Sequence, residues 1–137
     1  EINPSEINKL MLLNKKKNIK FVMGNRFKNL KPIKSNFDWG NFIFTSFFNI
    51  LFLENHKDIL CCAKAFYKDD LKELKLNSTG FDIDIELSSI LTKINRKNPI
   101  PQVHINYKRR SISDGKKLKT SDGWVILKRI IDMVKYF

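Results

Sequence analysis

The stretch Gln102-Val103-His104-Ile105-Asn106-Tyr107-Lys108-Arg109-Arg110-Ser111-Ile112-Ser113-Asp114-Gly115-Lys116-Lys117 passes from a strand-like run into a cationic loop. Pro99 and Pro101 introduce the strand, and an amphipathic helix follows the loop. Arg110 offers a planar fork that grips phosphate oxygens at two points, and Lys116 offers a mobile ammonium. A loop with one glycine brings the two together, an arrangement that suits a diphosphate.

Outward from this stretch, strands alternate with helices. Asn3-Pro4-Ser5-Glu6 reads as a helix start: Asn3 caps, Pro4 takes the first position and Glu6 sits where a capping-box acid belongs. Ile7, Leu10 and Met11 give that helix its apolar face, and Lys15-Lys16-Lys17 its end. Residues 19–23 read as a strand stopped by Gly24, and residues 28–40 as a polar, basic loop. The run from Phe42 to Leu53 reads as a helix of roughly 18 Å. That is well short of the roughly 30 Å of a bilayer core, so the helix is buried or interfacial. Residues 63–67 read as a strand and 69–76 as a short helix. Ile83, Leu87, Ile90, Leu91 and Ile94 mark a clear amphipathic helix. In the last helix Trp124, Leu127, Ile131 and Val134 form one stripe, with Lys128, Arg129, Asp132 and Lys135 opposite. The alternation predicts an α/β architecture, and 137 residues fit one domain.

Twenty-six Lys and Arg against fourteen Asp and Glu give a net charge of +12, which points to anionic partners: nucleic acid, anionic lipid or a phosphorylated substrate. The two cysteines, Cys61 and Cys62, are adjacent on a strand-like run, where neighbours point to opposite faces, so reduced thiols and a cytosolic compartment are expected. His56 and His104 are far apart, and nothing has zinc-ligand spacing. The N-terminus is polar and carries no signal-peptide core.

Four further positions draw attention. Arg26 follows a strand end, where open α/β sheets bind ligands. Asp58 precedes a strand and is a candidate site carboxylate, either a base or an orienter of a cationic neighbour. Lys64 lies inside an apolar strand, which calls for a carboxylate partner, a bound phosphate or an edge position. The acids of Asp82-Ile83-Asp84-Ile85-Glu86 suit a helix N-terminus. Arg26 and Asp58, each taken alone, are also ordinary turn residues.

Gly24-Asn25-Arg26-Phe27, Asp58 through Lys64-Ala65-Phe66, Gly80-Phe81-Asp82-Ile83-Asp84, and Gln102 through Tyr107 to Arg110 with Gly115-Lys116-Lys117 occur in that order. Together they resemble the C-terminal half of the family 2 glycosyltransferases, the group of dolichyl-phosphate mannose and glucose synthases and their polyprenyl-phosphate relatives. The likeness covers nearly the whole chain. Cys62 and Ala63 depart from the family's Gly-aromatic pair, and Gln102 and His104 from its acid and proline.

The resemblance implies the C-terminal portion of a GT-A type, Rossmann-like domain spanning residues 1–137. The nucleotide-binding half and the metal-binding Asp-x-Asp would lie upstream, and the chain alone would be inactive. It implies inverting transfer from a nucleotide-sugar to a polyprenyl or dolichyl phosphate, in cell-envelope biogenesis at the cytosolic membrane face. Arg26, Arg110, Lys116 and Lys64 would hold phosphate, Asp58 would serve the acceptor side, and Mg²⁺ or Mn²⁺ would have its ligands upstream. A soluble sugar or a protein is the alternative acceptor. The rival class is a basic nucleic-acid-binding module. Against it, the phenylalanines cluster in apolar stripes instead of interleaving with Lys and Arg, and no RNA-binding signature appears.

Overall fold

The computed structural model describes residues 2–27, 36–72, 75–108, 119 and 121–136. The described chain is mixed α/β. Three strands, β1 (Phe21–Asn25), β2 (Lys64–Phe66) and β3 (Gln102–His104), form one sheet in the order β2-β1-β3. β2 runs antiparallel to β1, with Met23 opposite Lys64, and β3 runs parallel, with Asn25 opposite His104. Three α-helices, α1 (Asn36–Phe52), α2 (Ile83–Ile94) and α3 (Asp122–Val134), pack with it.

β1 is the centre of the sheet, and all five of its residues are buried. Gly24 does not stop it. Its N–H donates to the Ala63 carbonyl at 2.7 Å, and a Cβ at this position would lie 2.8 Å from that oxygen. Only glycine permits so close an approach of neighbouring backbone. Ile19 pairs with Asn14 in an isolated bridge, so the strand starts at Phe21.

The main core joins Phe21 and Met23 of β1 to Phe48 and Phe52 of α1, Ile85 and Leu91 of α2, and Ile126, Ile130 and Met133 of α3. Phe48 and Phe52 stack with centroids 4.2 Å apart. Each such side chain contributes about 1.5–3 kcal/mol on burial. α1 begins at residue 36, not 42, and takes in the last residues of the expected loop. At 17 residues it still falls short of a span, and no helix among the described residues is long and apolar enough to cross a membrane.

Three expectations change at this level. The first helix is a 3-10 helix, Pro4–Leu10, capped by Asn3 through its Oδ1 to Ser5 N at 3.0 Å. Glu6 is no capping-box acid: it binds Lys9 at 2.6 Å and the Asn106 backbone N–H at 2.8 Å. Ile7 and Met11 are exposed, and Lys15–Lys17 is a separate 3-10 turn, closed by Asn18 at a φ of 55°. The segment after β2 is a 3-10 helix, Lys68–Leu71. In α3 the buried stripe is Ile126, Ile130 and Met133, so Trp124, Ile131 and Val134 lie on the exposed side.

α2 buries a polar flank as well as an apolar one. Ser88 Oγ donates to the Ile59 carbonyl at 3.1 Å, and Thr92 Oγ1 lies 3.0 Å from His56 Nε2. Gln102 clasps the loop before β2, accepting from Lys57 N and donating to the Asn55 carbonyl.

Candidate functional site

Because β1 and β3 are parallel, their C-terminal ends share one edge of the sheet. The antiparallel β2 brings its N-terminal end, Lys64, to that same edge. Arg26, directly after β1, and Asp58, in the turn before β2, meet there. Arg26 Nε donates to Asp58 Oδ2 at 2.8 Å and Nη2 to Oδ1 at 2.8 Å. The Arg26 backbone N–H adds a third bond to Oδ2 at 3.0 Å. Asn41 of α1 donates to Oδ1 at 2.7 Å, and Thr45, one turn on, donates to the Asn41 side-chain oxygen. The Asp58 carboxylate is buried and receives four donors. Of the two expected roles, base and orienter of a cation, this geometry fits the orienter.

Arg26 stays charged. Burial disfavours the cation, but the hydrogen bonds and charge of Asp58 outweigh it and raise the guanidinium above its ordinary value. The Arg26 side chain keeps 20% of its surface exposed. Among the described residues, the N–H groups not turned toward Asp58 have no hydrogen-bond partner. The Tyr107 ring lies under the guanidinium, 5.4 Å from Cζ to the centroid, and the Phe27 ring at 5.9 Å.

Lys64 explains itself through protein partners. Its ammonium binds Asp84 Oδ1 at 2.8 Å, the Ile59 carbonyl at 3.3 Å and the Cys61 carbonyl. Three donors meet three acceptors, which accounts for its burial without a bound phosphate. β2 is also an edge strand, so two of the three anticipated reasons hold together. Lys64 and Ser88 thus fix the main chain of residues 59–61, while Arg26 and Asn41 fix Asp58. Residues from four elements bond to this turn.

Cys61 lies in this turn. Burial, then the neighbouring Asp58 charge, pushes its thiol up to about 12, which makes it a packing residue and not a nucleophile. Cys62 is exposed, and both cysteines are free. Glu86 accepts from Asn77 N at 2.9 Å and Ser78 N at 2.7 Å, holding the loop before α2. Burial alone would raise its pKa, and the Ser78 and Asn77 donors bring it below the ordinary value. Asp82 pairs with Arg129 of α3 at 2.9 Å.

Arg110 and Lys116 lie outside the described residues. Arg26, Asp58 and Lys64 therefore form one constellation, with Asn41, Thr45, Asp84 and Tyr107 added by the fold. Asn41 and Thr45 had a signal in the sequence: they share the helical spacing of Phe48 and Phe52, so two polar residues point to the core face of α1. Among the described residues no three His, Cys, Asp or Glu side chains come together to hold a metal ion. By the resemblance, the divalent cation would take its ligands from upstream of these residues. Comparison with protein-family models, with curated proteins and with solved structures gives no match for the chain.

Proposed function

We propose that this chain is the C-terminal portion of a GT-A type, family 2-like glycosyltransferase. The enzyme would move a sugar, with inversion, from a nucleotide-sugar to a polyprenyl or dolichyl phosphate at the cytosolic face of a membrane. One observation carries the reading: a charged, partly exposed guanidinium sits at the C-terminal edge of the sheet, locked from behind by a buried carboxylate. That edge is where α/β sheets bind nucleotides and phosphates.

In the proposed reaction an acceptor phosphate oxygen attacks the anomeric carbon on the face opposite the diphosphate. The bond from that carbon to the diphosphate oxygen breaks, and its electron pair stays on the nucleoside diphosphate. Arg26 stabilises the charge that develops there, and Arg110 and Lys116 would add two further cations. Because Asp58 already orients Arg26, little of the binding free energy is lost in ordering it. A phosphate acceptor is ionised near neutral pH and needs no base. That agrees with an Asp58 carboxylate whose oxygens are already engaged. Asp58 is a positioning residue in this scheme, and Lys64 with Asp84 braces the turn.

The test is transfer by the whole protein that carries this chain, given labelled nucleotide-sugars and dolichyl phosphate. Label should pass into the lipid phase, and Arg26→Ala should lower kcat/KM by about tenfold or more. Label passing only to a soluble sugar or a protein would change the acceptor. Absence of nucleoside diphosphate binding, together with tight, salt-dependent binding of single-stranded RNA, would move the chain to the nucleic-acid class.

A further inference from the structure

The outer faces of α1 and α3 are apolar and uncovered. Trp39, Ile43 and Ile50 are exposed on α1, Ile50 at 71%, and Trp124 and Ile131 on α3, Trp124 at 76%. The two faces adjoin. Gly123 of α3 lies against the Phe44 ring of α1, where a Cβ would stand 3.4 Å from the ring. Phe47, one turn after Phe44, packs against the core, and Leu127, one turn after Gly123, is half-buried. On α1, Ile43 and Ile50 lie on the face opposite Phe48 and Phe52, and on α3, Trp124 and Ile131 lie opposite Ile126, Ile130 and Met133. Because those inner faces share one core, the two exposed stripes lie on the same outer side of the helix pair.

We infer that this α1–α3 surface docks the protein on an anionic lipid membrane. Charge selects that occupant. Lys128 and Lys135 are exposed on α3, three and four residues either side of Ile131, while Asp132 is half-buried. A second copy seated here would bring these lysines together on a chain that already carries +12. An anionic bilayer instead accepts apolar side chains at its surface and lysine ammoniums at its headgroups. Trp124 and Trp39 are of the residue type that favours this boundary. The helices would lie in the interface without spanning it. Such docking deepens the membrane part of the proposed function, and it holds whether or not the protein transfers sugar.

Both tryptophans of the chain are on this surface, so intrinsic fluorescence reads it directly. The protein is mixed with vesicles of phosphatidylcholine, with and without phosphatidylglycerol, and followed by flotation and by emission. With anionic vesicles it should float, its emission should shift to the blue, and both effects should fade as salt shortens the Debye length from ~30 Å at 0.01 M to ~3 Å at 1 M. The double variant Trp124→Ser/Ile131→Ser changes exposed side chains only and should keep the parent's circular dichroism and melting. It should partition about tenfold less strongly. Unchanged partitioning of a folded double variant would overturn the inference. So would failure to float at low salt, or a dimer in light scattering that the double variant abolishes while vesicles are ignored. Flotation without sugar transfer would leave docking intact and sink the transferase reading. Transfer to a short, soluble acceptor phosphate without flotation would do the reverse.

Discussion

Arg26 and Asp58, 32 positions apart in the chain, share three hydrogen bonds, and one carboxylate oxygen binds both the side chain and the backbone of the same arginine. The pair fixes the arginine's fork and its main chain at once. Removing the guanidinium leaves the Asp58 charge without its cation, held only by the residue-26 backbone N–H and Asn41, and the Asp58 side chain is wholly buried. Arg26→Ala should therefore cost about 3–5 kcal/mol of stability, read from urea unfolding. Arg26→Lys keeps the charge but not the fork, and should recover only part of that loss. A stability unchanged by Arg26→Ala would mean that Asp58 finds other donors.

Arg110→Ala and Lys116→Ala should each lower kcat/KM by the scale of a charge-assisted hydrogen bond, about 1.5–3 kcal/mol, or roughly tenfold to a hundredfold. Steady-state kinetics on the whole protein decide it. Unchanged values for both variants would remove these residues from the site.

Gly24→Ala places a methyl group 2.8 Å from the Ala63 carbonyl oxygen and 2.9 Å from the Ala63 side chain. Neither neighbour is the end of a flexible side chain. β1 and β2 must part, at a cost of about 1–3 kcal/mol. Arg26 lies two residues on, so nucleoside diphosphate binding should weaken as well. Equal melting temperatures for parent and variant would contradict the packing described.

His56 is buried, with Thr92 on Nε2 and, among the described residues, no partner for Nδ1. Burial, and then the Lys64 charge, lowers its pKa from 6.5 to about 4. A histidine whose folded pKa is depressed favours the unfolded chain once protons become available. Its contribution is fully present above about 6.5 and is lost as pH falls toward 4. Stability should drop by about 2 kcal/mol between about pH 7 and 5 from this residue. His56→Gln should flatten that slope in urea midpoints measured at both values. An unaltered slope would assign it to other groups.

Apolar periodicity made α2 and the strand around Phe21 legible in the sequence, because both bury long apolar runs. Period alone could not choose the buried side of α3. Trp124-Leu127-Ile131-Val134 and Ile126-Ile130-Met133 are both helical stripes, and packing against Phe44 and Ile85 decides between them. Gly24 reads as a strand end when conformational freedom alone is weighed, whereas its role is to let Ala63 approach. In the site, Arg26 after a strand and Asp58 before one were visible separately. Their pairing was not, since it depends on β2 running antiparallel beside β1. The Asp84 partner of Lys64 comes from a helix with no sequence link to β2, and only the fold joins them.

The mixed sheet also governs how the chain reaches this state. β1 cannot complete itself from nearby residues: its antiparallel partner comes after α1, its parallel partner after α2, and Glu6 meets Asn106 at a separation of 100 positions. Loop closure must precede the reward of these contacts, so folding belongs to the slower range for small domains, about milliseconds to seconds. The ends of β1 and β3 and the turn at Asp58 come together only when that search ends. The end of the sheet that carries Arg26 and Asp58 is therefore among the last features of the molecule to form, and its appearance reports completion of the fold.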